Sequence, residues 1–122
     1  MESMHQAGYI YNDLKPDNIL LDYNLDLDKL SRSGKNLNIN VIDFGFSTRN
    51  INKTTNKHIE KSRLDTFRGN MIFASINQLN FCTTSRRDDL ISLVYLLMYF
   101  LRGGSMPGFD CFEKLGEAKK FL

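Results

Sequence analysis

Two short polar motifs hold the residues whose types and spacing best suit chemistry. Asp13, Lys15 and Asn18 lie within six residues of one another, and Asp43 opens the tripeptide Asp-Phe-Gly. Carboxylate and amide oxygens suit Mg²⁺, an ammonium group suits a phosphate, and a second carboxylate can orient a hydroxyl or accept its proton. Together these groups predict phosphoryl transfer, in which positioning and charge neutralisation carry most of the catalysis.

Each motif alone also has a structural interpretation. An Asp-x-Lys sequence is often a solvated turn, and Asp-Phe-Gly can be a strand followed by a turn. The order of the predicted elements favours the chemical interpretation. A loop, a strand, a second loop and a second strand precede Asp43, and a long irregular segment and an apolar helix follow it.

The elements that must position these residues are predicted from local patterns. Residues 1–8 are typical of a helix end that stops at Gly8, and Pro16 predicts a loop over residues 11–18. Residues 19–21 are apolar and residues 37–42 alternate with period two, which predicts an antiparallel pair joined by a polar connection around Gly34. Residues 46–73 show no sustained period.

The strongest local signal is a helix over residues 90–101, which are apolar apart from Ser92. Ser85 and Asp88 are typical of a helix start, and Arg102 before two glycines is typical of a helix end. A helix that is apolar on all sides is expected to be buried on all sides. The tail, residues 109–122, is weakly helical.

Composition limits the class of protein. The chain has 122 residues, which fits one domain at most, with 42% hydrophobic and 25% charged residues and a net charge of +2. This charge is too small to predict nucleic-acid binding. No apolar run reaches the ~20 residues that span a bilayer, so no membrane partner is expected. The basic residues between Arg49 and Arg68 are interpreted as a solvated loop in preference to an anion-facing surface.

The remaining reactive residue types carry no predicted site. Cys82 and Cys111 have no histidine in a nucleophile arrangement and are expected to be reduced thiols. His5 and His58 have no second ligand at metal spacing, so a zinc site is not predicted.

The two motifs resemble a known family. Residues 13–18 fit the protein-kinase catalytic-loop pattern D-x-x-x-x-N, and Asp43-Phe44-Gly45 fits the D-F-G that follows it. Lys15 followed by Pro16 resembles a serine/threonine kinase. Residues 74–77, 85–90, 95–100 and 104–107 resemble the casein kinase I family closely.

The resemblance implies a fold and a domain. The expected fold is mainly α with a short antiparallel β-hairpin, as in part of the C-terminal lobe of a protein kinase. Residues 1–122 are expected to form a partial kinase domain that holds the catalytic loop, the metal-binding loop, the activation segment and the central buried helix. The N-terminal lobe that covers the nucleotide is expected to be absent, so we expect the chain by itself to be inactive.

The resemblance also assigns roles. Asp13 would be the catalytic aspartate, and Lys15 would contact the γ-phosphate of ATP. Asn18 and Asp43 would hold Mg²⁺ between the phosphates. These four residues are the predicted catalytic and metal-binding set.

Three further residues receive supporting roles from the resemblance. Leu20 and Ile42 would contact the adenine, although both could equally be core residues. Asp89 would be a buried anchor that accepts backbone N–H groups of the catalytic loop, with a first-turn acid facing the helix dipole as the alternative. Asp88 fits that alternative role more naturally.

Three positions depart from the family pattern. Asn12 replaces the usual arginine before the catalytic aspartate, so control by activation-loop phosphorylation is not expected. Asn70 replaces a threonine and can still bond Asp13 and Lys15. Ile72 stands where an arginine would help to recognise substrates that are already phosphorylated, and the basic stretch that ends at Arg68 could compensate.

The function predicted from the sequence is therefore an ATP- and Mg²⁺-dependent serine/threonine kinase of the casein kinase I type, acting on protein substrates. A monomer in the cytoplasm, the nucleus or both is expected. The alternative is a non-catalytic, pseudokinase-like binding module, and an unrelated α/β domain would require the ordered motifs to be coincidental. The four retained catalytic residues favour the enzyme.

Overall fold

The computed structural model describes residues 1–21 and 38–108. The expected turn around Gly34, the weakly helical tail and Cys111 lie outside the described residues. The described elements follow in chain order: α1 (Glu2–Gln6), β1 (Tyr9–Ile10), a 3-10 helix (Pro16–Asn18), β2 (Ile19–Leu21), β3 (Ile39–Val41), β4 (Thr48–Arg49), α2 (Ile76–Leu79) and α3 (Arg86–Leu101).

The prediction of a mainly α fold with one hairpin is wrong. Helix accounts for 30% of the described residues and strand for 15%, and the strands form two small antiparallel sheets. The predicted pair is present, with Ile19 opposite Val41. The second sheet pairs β1 with β4. Strands of two residues are too short to show a period, so alternation cannot reveal this sheet.

The first helix and the segment after Asp43 agree with the local patterns. Gly8 follows α1 with φ +82°, a conformation that glycine adopts without a steric penalty. Between residues 46 and 73 the chain is largely irregular, apart from β4 and the isolated bridges of Ile51 with His58 and of Arg63 with Cys82.

Helix α3 begins and ends where the sequence predicts. Ser85 is its N-cap, and the Ser85 amide donates to Asp88 Oδ2 at 2.7 Å. Gly103 and Gly104, both with positive φ, follow its last turn. Within residues 1–21 and 38–108, no helix combines the length and the apolar character needed to cross a membrane.

The prediction that this helix is buried on all sides is wrong for the described structure. Asp88, Asp89, Ser92 and Leu96 are its buried residues. The opposite side is at least half exposed, at Leu90, Val94, Leu97 and Leu101. Because nearly every position of the helix is apolar, its composition could not indicate which side packs against the rest of the chain.

The core lies where the predicted catalytic loop (residues 11–18), the irregular segment after Asp43 (residues 46–73, here called the activation segment) and α3 meet. Tyr11 and Leu14 from the loop pack with Phe73 from the segment and Leu96 from α3. Tyr11 and Leu14 stand on either side of the motif residue Asp13, so burial of the two apolar side chains fixes the backbone that carries the carboxylate. Full burial of such side chains contributes roughly 1.5–3 kcal/mol each.

Candidate active site

Asp13 lies in a tight loop that the short 3-10 helix folds back on itself. Pro16 occupies the first position of that helix, where its missing N–H costs nothing. The turn brings the Asn18 side chain back to Asp13, and Asn18 Nδ2 donates to the Asp13 carbonyl and to Oδ2, both at 2.9 Å. The proline therefore sets the geometry that joins two of the predicted site residues.

Both carboxylate oxygens of Asp13 have partners. Lys15 Nζ lies 3.1 Å from Oδ2, and Asn70 Nδ2 donates to Oδ1 at 3.2 Å. The Asp13 residue is 1% exposed. A carboxylate held on both oxygens cannot rotate, so its orientation is fixed before any substrate arrives.

Asn70 makes only part of the contacts expected from its chemistry. Its bond to Asp13 is present, but its second bond goes to the Leu14 carbonyl at 3.0 Å instead of to Lys15. Its side-chain oxygen accepts from the Phe73 amide at 2.9 Å. Asn70 thereby ties the activation segment to the catalytic loop.

Asp43 reaches the same site through the pairing of β2 with β3. Because Ile19 pairs with Val41, the residues just outside the pair, Asn18 and Ile42, lie side by side, and the Ile42 amide donates to the Asn18 carbonyl at 3.0 Å. Asp43 follows with φ +60°, and its Oδ1 accepts the Gly45 amide at 3.1 Å. Strand register therefore places Asn18 and Asp43 at one end of the sheet.

The donor set at this end fits Mg²⁺. Asp43 is exposed, and the Asn18 amide nitrogen is turned to Asp13, which leaves the amide oxygen as the group that can face a cation. In the described part of the chain, no three His, Cys, Asp or Glu side chains converge on one point. A small number of protein ligands is enough for Mg²⁺, because this ion takes one or two side-chain oxygens and completes its shell with phosphates and water.

Leu20 and Ile42 present apolar surface beside these polar groups. Their exposed fractions are 47% and 39%. Tyr11 lies next to Ile42, because its hydroxyl donates to the Ile42 carbonyl. Burial raises the pKa of Tyr11 to about 12, so this hydroxyl remains a neutral donor. Tyr11 also makes an edge-to-face contact with Phe44, with ring centroids 5.6 Å apart.

Asp89 holds the backbone of the catalytic loop from below. Its two oxygens accept the amides of Tyr11 at 2.8 Å and Asn12 at 2.9 Å. His5 Nε2 lies 2.7 Å from Asp89 Oδ2. The residue is 1% exposed, so these contacts replace the water that a carboxylate would otherwise require.

Asp88 has a larger role than a simple first-turn acid. Ser75 Oγ and Asn77 Nδ2 donate to its Oδ1 at 2.7 and 3.0 Å, in addition to the Ser85 amide on Oδ2. Burial alone would raise the pKa of Asp88, but these hydrogen bonds outweigh burial and lower it. Asp88 therefore joins α2 to the start of α3.

Asn12 is a junction between three segments. Its Nδ2 donates to the Phe46 carbonyl and to Thr48 Oγ1, both at 2.9 Å, and its Oδ1 accepts from Thr84 Oγ1. Its own carbonyl accepts from Gln78 Nε2 at 2.8 Å. The neutral amide thus holds the segment after Asp43 against the catalytic loop by ordinary hydrogen bonds, without a charge.

Sequence reasoning missed two residues of this network, His5 and Gln78. No local pattern marks His5, whose partner Asp89 is 84 positions away. Gln78 carries a usable signal, because Ser75-x-x-Gln78 is a capping box, and the structure shows both of its bonds. That signal would have located α2.

Gly69 permits the closest approach in the site. A Cβ placed on this residue would lie 2.1 Å from the Asn12 carbonyl oxygen, and its φ is +99°. We expect Gly69→Ala to lower the free energy of unfolding by about 1–3 kcal/mol more than Gly103→Ala does. Gly103 also has positive φ (+67°) but has nothing within 4 Å. Denaturant unfolding of both variants measures the difference. Equal losses in the free energy of unfolding would show that the Asn12 carbonyl does not prevent a Cβ at Gly69.

Comparison with known proteins agrees with this architecture. The protein kinase domain family matches residues 1–108. The chain belongs to the protein kinase family. It is 34% identical over 104 residues to casein kinase 1-like protein HD16 of Oryza sativa subsp. japonica, which covers 84% of this chain and 14% of that protein. Within the family, this similarity agrees with the resemblance of the sequence to the casein kinase I family.

Proposed function

We propose that the protein carrying this chain transfers the γ-phosphate of ATP to serine and threonine hydroxyls of other proteins, with Mg²⁺. One observation carries the proposal: the Asp13 carboxylate is fixed by Lys15, Asn18 and Asn70, while the β2–β3 register brings Asp43 beside Asn18. The chain spans 14% of the length of the relative that it matches. The activity is therefore proposed for the whole protein that carries this chain.

Each residue has one task in this mechanism. Asp13 orients the acceptor hydroxyl and takes its proton as the bond from its oxygen to the γ-phosphorus forms and the bond from that phosphorus to the bridging oxygen of ADP breaks. Lys15 contacts the γ-phosphate and offsets its charge. Asn18 and Asp43 would hold the metal, which would neutralise charge on the phosphate oxygens. Leu20 and Ile42 contact the adenine, since both present exposed apolar surface on the β2–β3 sheet and the residue that follows it.

Two family features support the serine/threonine acceptor and protein substrates. Lys15 followed by Pro16 resembles the serine/threonine branch, and the relative is named a casein kinase 1-like protein.

Asn12 supports activity that does not depend on phosphorylation of the activation segment, because its amide already bonds Phe46 and Thr48. The departure at Asn12 also favours the alternative, a non-catalytic binding module, but it leaves the partners of Asp13 in place.

The metal dependence of transfer tests the proposal. We expect Asp43→Ala to lower the rate at ordinary Mg²⁺ concentration by at least about 100-fold, because it removes the charged metal ligand. A matched control is Asp65→Ala, which removes an equally exposed carboxylate from the activation segment and should leave the Mg²⁺ titration unchanged. Transfer that is the same in wild type and Asp43→Ala at every Mg²⁺ concentration would refute the metal site, and no transfer by wild type would favour the binding module.

A further inference from the structure

A cavity of about 480 Å³ opens directly beside Asp13. Lys15 and Asn70 form its inner edge, and each also contacts the Asp13 carboxylate, at 3.1 and 3.2 Å. The same two side chains border both Asp13 and the cavity, so residues that flank a hydroxyl held at Asp13 can reach the cavity. The cavity is the space available to residues that flank the acceptor.

The far side of the cavity is apolar. Ile72 is 42% exposed, and Phe73, Tyr99 and Met106 contribute further apolar surface to the wall, next to Ser105. Phe73 and Tyr99 meet edge to face with ring centroids 5.5 Å apart, at 86°. This aromatic pair belongs to the core that fixes the catalytic loop, so the wall is rigid.

The charges around the cavity do not favour an anion. Among the described residues that border it, Lys15 and Asp17 are the charged ones. Lys15 is already paired with Asp13. A phosphate or a carboxylate placed here would meet the Asp17 carboxylate and the Ile72 side chain, and the one cation in the described lining, Lys15, is already assigned to Asp13 and to the γ-phosphate.

We propose that this cavity binds an aliphatic side chain of the protein substrate, within a few residues of the acceptor serine or threonine, and that Ile72 selects for it. The inference rests on the proposed function, since it concerns the same site. Burial of an aliphatic side chain in such a cavity stabilises the bound substrate, whereas burial of a charged side chain without a partner destabilises it. The expected preference for an aliphatic residue over an acidic or phosphorylated one at that position is therefore at least about tenfold.

The test is a positional peptide library with one fixed acceptor, phosphorylated by the whole protein that carries this chain. Wild type is expected to favour Leu, Ile, Val or Met at one flanking position. Ile72→Ala should weaken that preference, and Ile72→Arg should shift it towards Asp, Glu or phosphoserine. Met71→Arg adds the same charge one residue away, on a side chain that is 66% exposed and does not border the cavity, and should leave the preference unchanged.

The outcomes separate this inference from the proposed function. Transfer with an acidic or phosphoserine preference in wild type, or with no preference, would overturn the inference and leave the kinase activity standing. A preference that Met71→Arg changes as much as Ile72→Arg would also overturn the role of Ile72. If wild type phosphorylates no peptide and no protein, the proposed function itself fails, and the inference fails with it.

Discussion

Asp13→Asn is expected to lower turnover by about 100- to 10,000-fold while ATP affinity stays within a few fold of wild type. Asparagine matches the shape of aspartate but has no carboxylate that can take the hydroxyl proton, and general-base catalysis is worth about that factor. ATP affinity is expected to survive because the proposed metal and adenine contacts belong to Asn18, Asp43, Leu20 and Ile42. Steady-state kinetics gives kcat, and equilibrium titration gives the ATP affinity.

The fixed environment of Asp13 requires a control for this prediction. The new amide would face donors on Lys15 and Asn18, so part of any loss could come from a displaced loop. Asp65→Asn makes the same chemical change at an exposed position of the activation segment and should leave kcat unchanged. Near-normal turnover in Asp13→Asn would show that Asp13 is not the catalytic aspartate.

Asp89→Ala is expected to lower the free energy of unfolding by about 3–5 kcal/mol. The substitution removes the acceptor for the amides of Tyr11 and Asn12 and leaves His5 facing an empty site. Buried donors that lose a charged partner cannot recover their hydrogen bonds from water, and breaking such a set costs several kcal/mol. Chemical denaturation of the protein that carries this chain measures the loss.

The neighbouring residue provides the control for Asp89. Leu90 is the next position in α3 and is about half exposed, so Leu90→Ala should change the stability by less than about 0.5 kcal/mol. Asp89→Asn should fall between the two, since its amide oxygen can still accept one backbone N–H. A loss in Asp89→Ala no larger than that in Leu90→Ala would contradict the anchoring role.

The parts of the site that local sequence patterns could predict are those set by short separations, whereas the anchoring role of Asp89 follows from the resemblance to the family. Asp13 and Asn18 are five positions apart, and the proline between them dictates the turn that joins their side chains. Asp43 could be added because alternation in residues 37–42 predicts a strand, and an antiparallel pair brings Asp43 to the same end as Asn18.

The parts that escaped prediction depend on the path of the chain between distant segments. Asp89 meets His5 from 84 positions away, and Gln78 meets Asn12 from 66 positions away. No residue pattern encodes which helix passes beneath which loop. The exposed side of α3 could not be predicted because the helix is apolar at nearly every position. Strands β1 and β4 could not be predicted because two residues are too few to show a period.

The most direct test of the account is to follow the labelled γ-phosphate of ATP onto a protein substrate and to identify the residue that receives it. With the protein that carries this chain and Mg²⁺, the account predicts labelled phosphoserine or phosphothreonine, which disappears when the metal is chelated and in Asp13→Asn. Label that appears on tyrosine alone, or that persists undiminished in Asp13→Asn, would contradict it.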